Sequence, residues 1–268
     1  MTLQEKIQAA EAGDVNAMLA LGNYYYVEED VTEATKWYEK AAEQGNLIGM
    51  ENASVAAAKS AMQSQMMKSY TEAYNLWMKA AIRAGEARIV YASMKAKGYL
   101  DSQTLKSRYE TCNSCYAKAV YGATSIAYAV QKDYKMAYSF LKNIDDMSPD
   151  NEDYLNTRIH LLKGNCLYQI ALAGDKDSFA ITMSNAYIEL ANMVMDSNYI
   201  KDKGKTLIDE IIFTEAVINL SEILKNGIRG KVDAKRKEAI DLLDICIEYA
   251  SNDDCKSILI EQLKQVCG

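Results

Sequence analysis

The chain has 268 residues, 30 of them basic and 37 acidic, for a formal charge of -7. That balance gives no general electrostatic pull toward nucleic acid or an anionic membrane, and no uninterrupted apolar run reaches the roughly 18 residues that indicate a spanning helix. One proline and 13 glycines, set among plentiful Ala, Leu, Met, Lys and Glu, favour long helices with brief turns over sheets, so an all-α fold is expected.

From the N-terminus, "MTLQEKIQAAEAGDVNAM" lacks the basic start and apolar core of a secretory signal. A soluble cytoplasmic protein is expected, with a secreted or periplasmic one as the alternative if a leader has been removed. Apolar residues then recur at helical spacing through Ala17-Leu21-Tyr25 and Ala34-Trp37-Tyr38-Ala41, and further on through Leu155-Ile159-Leu162-Cys166 and Ile240-Leu243-Ile247. Turn signals fall at Gly13-Asp14, Glu28 to Asp30, Gly45-Asn46, Gly85, Gly122, Ser148-Pro149-Asp150, Gly174-Asp175, Lys201 to Gly204, Asn226 to Gly230 and Ser251-Asn252. They divide the chain into about a dozen helices. Tyr24, Tyr25 and Tyr26 fan over roughly 200° of one helix. Tyr25, four residues after Leu21, should be core; Tyr26 should face a partner surface and Tyr24 should point outward or toward a neighbouring hairpin.

A repeat runs through the first half. "WYEKAAEQG" (37–45) returns as "WMKAAIRAG" (77–85) and more faintly as "CYAKAVYG" (115–122), and "KEAIDLLDICIEYAS" (237–251) keeps the spacing of its small residues. The closing glycines Gly45, Gly85 and Gly122 recur at roughly 40 residues, a period that marks stacked helical hairpins. With "LGNYY" supplying Leu21, Gly22 and Tyr25, and "EATKWYEKAAEQG" supplying Ala34, Trp37, Tyr38, Ala41, Ala42 and Gly45, the pattern resembles the Sel-one-like repeat family of tetratricopeptide-type hairpins. The resemblance implies a single α-α superhelix over 1–268, a right-handed solenoid. Its repeats would lie at 12–45, 46–85, 86–122 and 216–251, with a degenerate central part at 123–215. It also implies a concave groove lined by the first helix of each hairpin, which in the first unit means Asn16, Leu19, Asn23 and Tyr26.

The remaining chemistry-bearing residues point to scaffold. Cys112 and Cys115 form a lone CxxC inside the helical pattern "SRYETCNSCYAKAV", where zinc would need two further ligands, so structural thiols are expected. His160 is the single histidine, which excludes a histidine-based metal cluster and leaves a structural role. The acidic pairs at Glu28-Glu29-Asp30, Asp145-Asp146 and Asp253-Asp254 sit at turns, as caps and helix starts do. Arg229, Lys231, Lys235, Arg236 and Lys237 crowd one turn without interleaved aromatics, as a solvated face does. Cys246 and Cys255 flank a helix corner and could pair, as cysteines at such spacing do in secreted proteins similar to the same family; free thiols in a reducing compartment are the main expectation.

The chain is therefore expected to be a non-catalytic scaffold, without cofactor or metal, that holds a partner peptide or domain in its groove and binds neither nucleic acid nor membrane. The alternatives are a secreted or periplasmic protein with hydrolase or cell-wall-related activity, which the resemblance to secreted members brings in, and a self-associating structural protein. The last would dimerise through Ile258, Leu259, Leu263 and Val266, a stripe that could equally be a cap packed onto Ile240 and Leu243.

Overall fold

The computed structural model describes residues 2–100, 102–144, 154–194, 197–202 and 205–268. The turn expected at Ser148-Pro149-Asp150, the acidic pair Asp145-Asp146 and Gly204 lie outside them. The described chain is all-α, as expected, and apart from an isolated bridge between Ile228 and Val232 its regular elements are helices. In order these are α1 (Leu3–Glu11), α2 (Val15–Val27), α3 (Val31–Glu43), α4 (Leu47–Met66), α5 (Tyr70–Ala96) and α6 (Gln103–Ile126). A π-helical turn, π1 (Ala127–Gln131), precedes α7 (Tyr134–Leu141), α8 (Leu155–Ala173), α9 (Lys176–Val194) and α10 (Ser197–Lys201). The last are α11 (Leu207–Asn226), α12 (Arg236–Tyr249) and α13 (Asp253–Cys267).

Short polar side chains start the helices. Asp14 accepts from the amide of Asn16 at 2.8 Å, Asp30 from Glu33 at 3.0 Å and Asn46 from Gly49 at 2.8 Å, satisfying donors that a helix N-terminus leaves open. The intervening turns reverse through left-handed residues: Gly13, Glu29, Gly45 and Lys68 all have positive φ. Two expected turns are not turns. Gly85 and Gly122 lie inside α5 and α6, where their missing side chains admit a neighbour instead of a bend. A Cβ at Gly122 would fall 2.4 Å from the Trp77 indole, and one at Gly85 would rest 3.4 Å from the Tyr116 ring. The chain turns instead at Lys68 and at Gly98. The second helix of the 46–85 repeat thus runs on without a break as the first helix of the 86–122 repeat.

Two compact units share the chain, residues 1–123 with 146–149 and residues 124–145 with 150–268. In the first, each of α1 to α4 packs on its successor, and α2 also meets α4. Small residues make this close approach possible: Ala34, Ala41, Ala53, Ala56, Ala57, Ala61, Ala73, Ala80 and Ala87 are all fully buried. Gly22 serves the same end, since a Cβ there would lie 2.4 Å from the Tyr38 ring. Ser54 donates to the carbonyl of Ala80 at 2.9 Å, and the Cys112 thiol to that of Ala84 at 3.3 Å, tying α4 and α6 to α5.

In the second unit α11 is the centre, touching π1, α8, α9, α12 and α13. It is buried nearly all round, with Ile212, Ala216, Val217, Leu220 and Ile223 inside. A helix apolar on every face must be enclosed. The polar groups that go inside with it are matched. Asn165 donates to the carbonyl of Ile212 at 2.8 Å and accepts from Asn219 at 2.9 Å, while Gln262 donates to Ser221 at 3.2 Å and to Glu222 at 2.6 Å.

Candidate partner-binding face

The four groove residues expected on α2 take two different places. Asn16 and Asn23 are exposed, whereas Leu19 and Tyr26 are half-buried. Leu19 and Tyr26 pack onto the cluster of Val31, Ala34, Tyr38, Ala53 and Ala56, and so fill the seam between α2 and α4. The ammonium of Lys59 on α4 sits 4.7 Å from the centre of the Tyr26 ring, a cation–π contact. Asn23 is partly spent on the scaffold, because its carboxamide oxygen accepts from the Tyr38 hydroxyl at 2.7 Å. Of the other two tyrosines, Tyr25 is half-buried against both neighbouring clusters, and the exposed Tyr24 meets it edge-on with ring centres 5.3 Å apart.

Beside this seam the sequence reading missed an apolar row. Ile48, Val55, Met62 and Met66 on α4 are 43%, 43%, 56% and 83% exposed. They share one helix face, since residues seven apart stand within about 20° of each other around the axis. The core-seeking pattern hid them, because α4 buries the opposite face, Gly49, Ala53, Ala56, Ala57, Ala61 and Ser64, made of small residues. The signal that finds them is the seven-residue interval from Ile48 to Val55 to Met62.

The scaffold under this face is held by charged pairs between helices. Glu39 of α3 receives the Arg83 guanidinium of α5 at 2.6 Å, and Arg83 also reaches Glu86 at 2.7 Å. These partners hold Arg83 protonated, its pKa raised chiefly by the Glu39 bond. On α4, Glu51 accepts from the Tyr91 hydroxyl and from Arg108, both at 2.5 Å.

Other candidates of the sequence fall within the scaffold. Cys112 is buried, and burial pushes its thiol up to about 12, the opposite of what a nucleophilic thiolate or a metal ligand needs. His160 lies with Nδ1 2.5 Å from a Glu189 carboxylate oxygen, joining α8 to α9. All six cysteines are free thiols, Cys246 and Cys255 included. Arg236 donates to the carbonyls of Val266 and Cys267 at 2.7 and 2.6 Å, and Lys225 to that of Gln265 at 3.2 Å, so basic side chains close the C-terminus of α13. That helix packs on α11 and α12 with Leu259 and Val266 buried, while Ile258 stays exposed. Its apolar stripe is thus largely covered inside the second unit. Among the described residues no group of three His, Cys, Asp or Glu could hold a metal ion, and no helix is long and apolar enough to cross a membrane. No protein-family model matches the chain, and no curated protein is detectably similar to it.

Proposed function

We propose that the protein is a non-catalytic interaction scaffold whose first unit, similar to Sel-one-like repeats, holds a partner peptide or domain on the face made by α2 and α4. The observation that carries this reading is the exposed apolar row of Ile48, Val55, Met62 and Met66 on α4, together with the exposed Asn16 and Asn23 of α2. Monomeric surfaces seldom leave so many large apolar side chains in one line without a use. Flexible thioethers suit such a surface because they mould to a partner. The free thiols of Cys246 and Cys255 support a reducing compartment such as the cytoplasm.

The test is affinity recovery of partners from the source organism, with the wild-type chain compared with Asn16→Arg combined with Tyr26→Ala. The variant is expected to keep its helical circular dichroism and to lose at least nine-tenths of the recovered partner. Equal recovery by both proteins sinks the reading.

A further inference from the structure

We propose that α4 is one half of a coiled-coil-type interface whose occupant is a single amphipathic helix with a carboxylate set opposite Lys59. This rests on reading the α2–α4 face as the partner surface, and goes further by naming the partner's chemistry. Along α4 the residues of the outward face are Ile48, Asn52, Val55, Lys59, Met62 and Met66. Their spacing alternates strictly between four and three, the a/d signature of a helix seam, here over more than two heptads and roughly 27 Å of helix. Ile48, Val55 and Met62 take one set of seam positions, and Asn52, Lys59 and Met66 the other.

A helical hairpin inside a folded unit has no need of a second seam on its solvent side. The inner face of α4 is already filled by alanines against α3 and α5. The outer seam therefore has the length and periodicity that a further helix would match.

The two polar seam positions choose the occupant. Lys59 makes no ion pair among the described residues, and its ammonium rests on the Tyr26 ring instead. The carboxylate nearest to it on α4, Glu51, is taken up by Tyr91 and Arg108. The seam thus carries one uncompensated positive charge at its centre. A second copy of α4 docked in parallel would set Lys59 against Lys59; docked antiparallel, it would press Lys59 onto Val55 or Met62. Either arrangement desolvates an ammonium without an opposite charge, which is costly. A foreign helix with Glu at that position removes the cost, and Asn52 fixes the register by asking for a polar partner of its own.

The experiment uses the full chain and two fluorescein-labelled designed helices of about three heptads. They have leucine at the seam positions and differ only in carrying Glu or Lys opposite Lys59, and both are held at nanomolar concentration to limit their self-association. Fluorescence anisotropy is expected to show the Glu helix binding at least tenfold more tightly than the Lys helix. Lys59→Glu should reverse that order, and Val55→Asp with Met62→Asp should abolish binding of both at unchanged circular dichroism. Failure of the Glu helix to bind, or equal binding of the two helices, overturns the proposal. A dimer in sedimentation velocity that Val55→Asp abolishes overturns it too, because the occupant is then a second copy. If partner recovery is lost in the Asn16→Arg, Tyr26→Ala variant while neither helix binds, the scaffold reading stands and this one alone falls.

Discussion

The two units solve the same problem, enclosing helices in helices, by different means. In the first, each helix leans on the one before and the one after, and the fit depends on alanines and glycines that let backbones come close. In the second, one helix, α11, is surrounded, and its partners contribute Leu, Ile and Val together with a matched polar network around Asn165. Nearest-neighbour packing leaves one flank of each helix free, as on the outer face of α4, whereas central packing uses every flank of the hub. The difference teaches where exposed helix faces remain: on the array, which leaves them over, more than on the hub, and the proposed partner face lies on the array.

The contrast can be broken or sharpened by measurement, helped by the placing of both tryptophans, Trp37 and Trp77, in the first unit. The position of the tryptophan emission maximum reports that unit, while far-ultraviolet circular dichroism reports both. The largest separation is expected on raising the pH. In the second unit burial raises the pKa values of Tyr128, Tyr199, Cys166 and Cys246, the last to about 12. In the first it raises chiefly Tyr91 and Cys112. Such groups add stability that is complete below the thiol and phenol values of the unfolded chain, near 8.5 and 10, and that is lost as pH rises through the folded values. Each costs about 1.4 kcal/mol for every pH unit in which only the unfolded chain has released its proton. Lys163 and Lys205, whose buried ammonium groups are lowered, act in the opposite direction in the second unit, but they are two against seven once Tyr138, Tyr168 and Cys255, which burial also raises, are included. Between about pH 9 and 11 the dichroism should therefore fall before the tryptophan emission shifts; the reverse order would undo the contrast.

Next in size is Asn165→Ala, which leaves the Asn219 amide without its acceptor and takes a second donor from the Ile212 carbonyl in the core of the second unit. It should cost about 3 kcal/mol, seen as a dichroism transition at lower urea with the tryptophan transition unmoved. A single shifted transition in both signals would mean that the two units unfold as one. Gly122→Ala attacks the first unit by forcing a Cβ against the Trp77 indole. A loss of about 2 kcal/mol is expected, this time carried by the emission signal; a neutral outcome would show that the indole has room to move. The smallest effect should come from Arg83→Met, which keeps the stem and removes the bond to Glu39. It should cost about 1 kcal/mol, because although the pair is largely shielded from water, Lys79 stays behind 3.5 Å from the Glu39 carboxylate as a partner, and added salt should narrow the gap between wild type and variant.

The same contrast explains which parts of the structure were legible in the sequence. Where helices meet only their neighbours, one spacing of small residues recurs, so Ala34, Trp37 and Ala41 announced their hairpin and Gly45 its end. Leu155, Ile159, Leu162 and Cys166 likewise read as a buried stripe, and all four are buried. Gly85 and Gly122 misled because glycine marks both turns and close approaches, and only the distant Tyr116 and Trp77 decide between them. The central place of α11 was hidden for a related reason. A helix enclosed on all sides has no favoured face, so its periodicity is weak where its burial is greatest. Of the expected partner residues, Asn16 and Asn23 lie exposed on α2, but Asn23 engages Tyr38 and the apolar row on α4 went unread.

The unbroken run of α5 through Gly85 also sets a rule of inheritance. Its first half presents Ala73, Trp77, Ala80 and Ala84 to the core, its second half Ala87 and Tyr91, and one helical phase must serve both sets. Inserting or deleting one residue near Gly85 would rotate one half against the other by about 100°, so that one of the two sets must leave the core. At the exposed turn of Lys68 and Ser69 the same change would only lengthen a loop. Length variation among descendants of this chain should therefore collect at that turn and be purged from α5, although a pattern of repeats alone would place a permitted joint at Gly85.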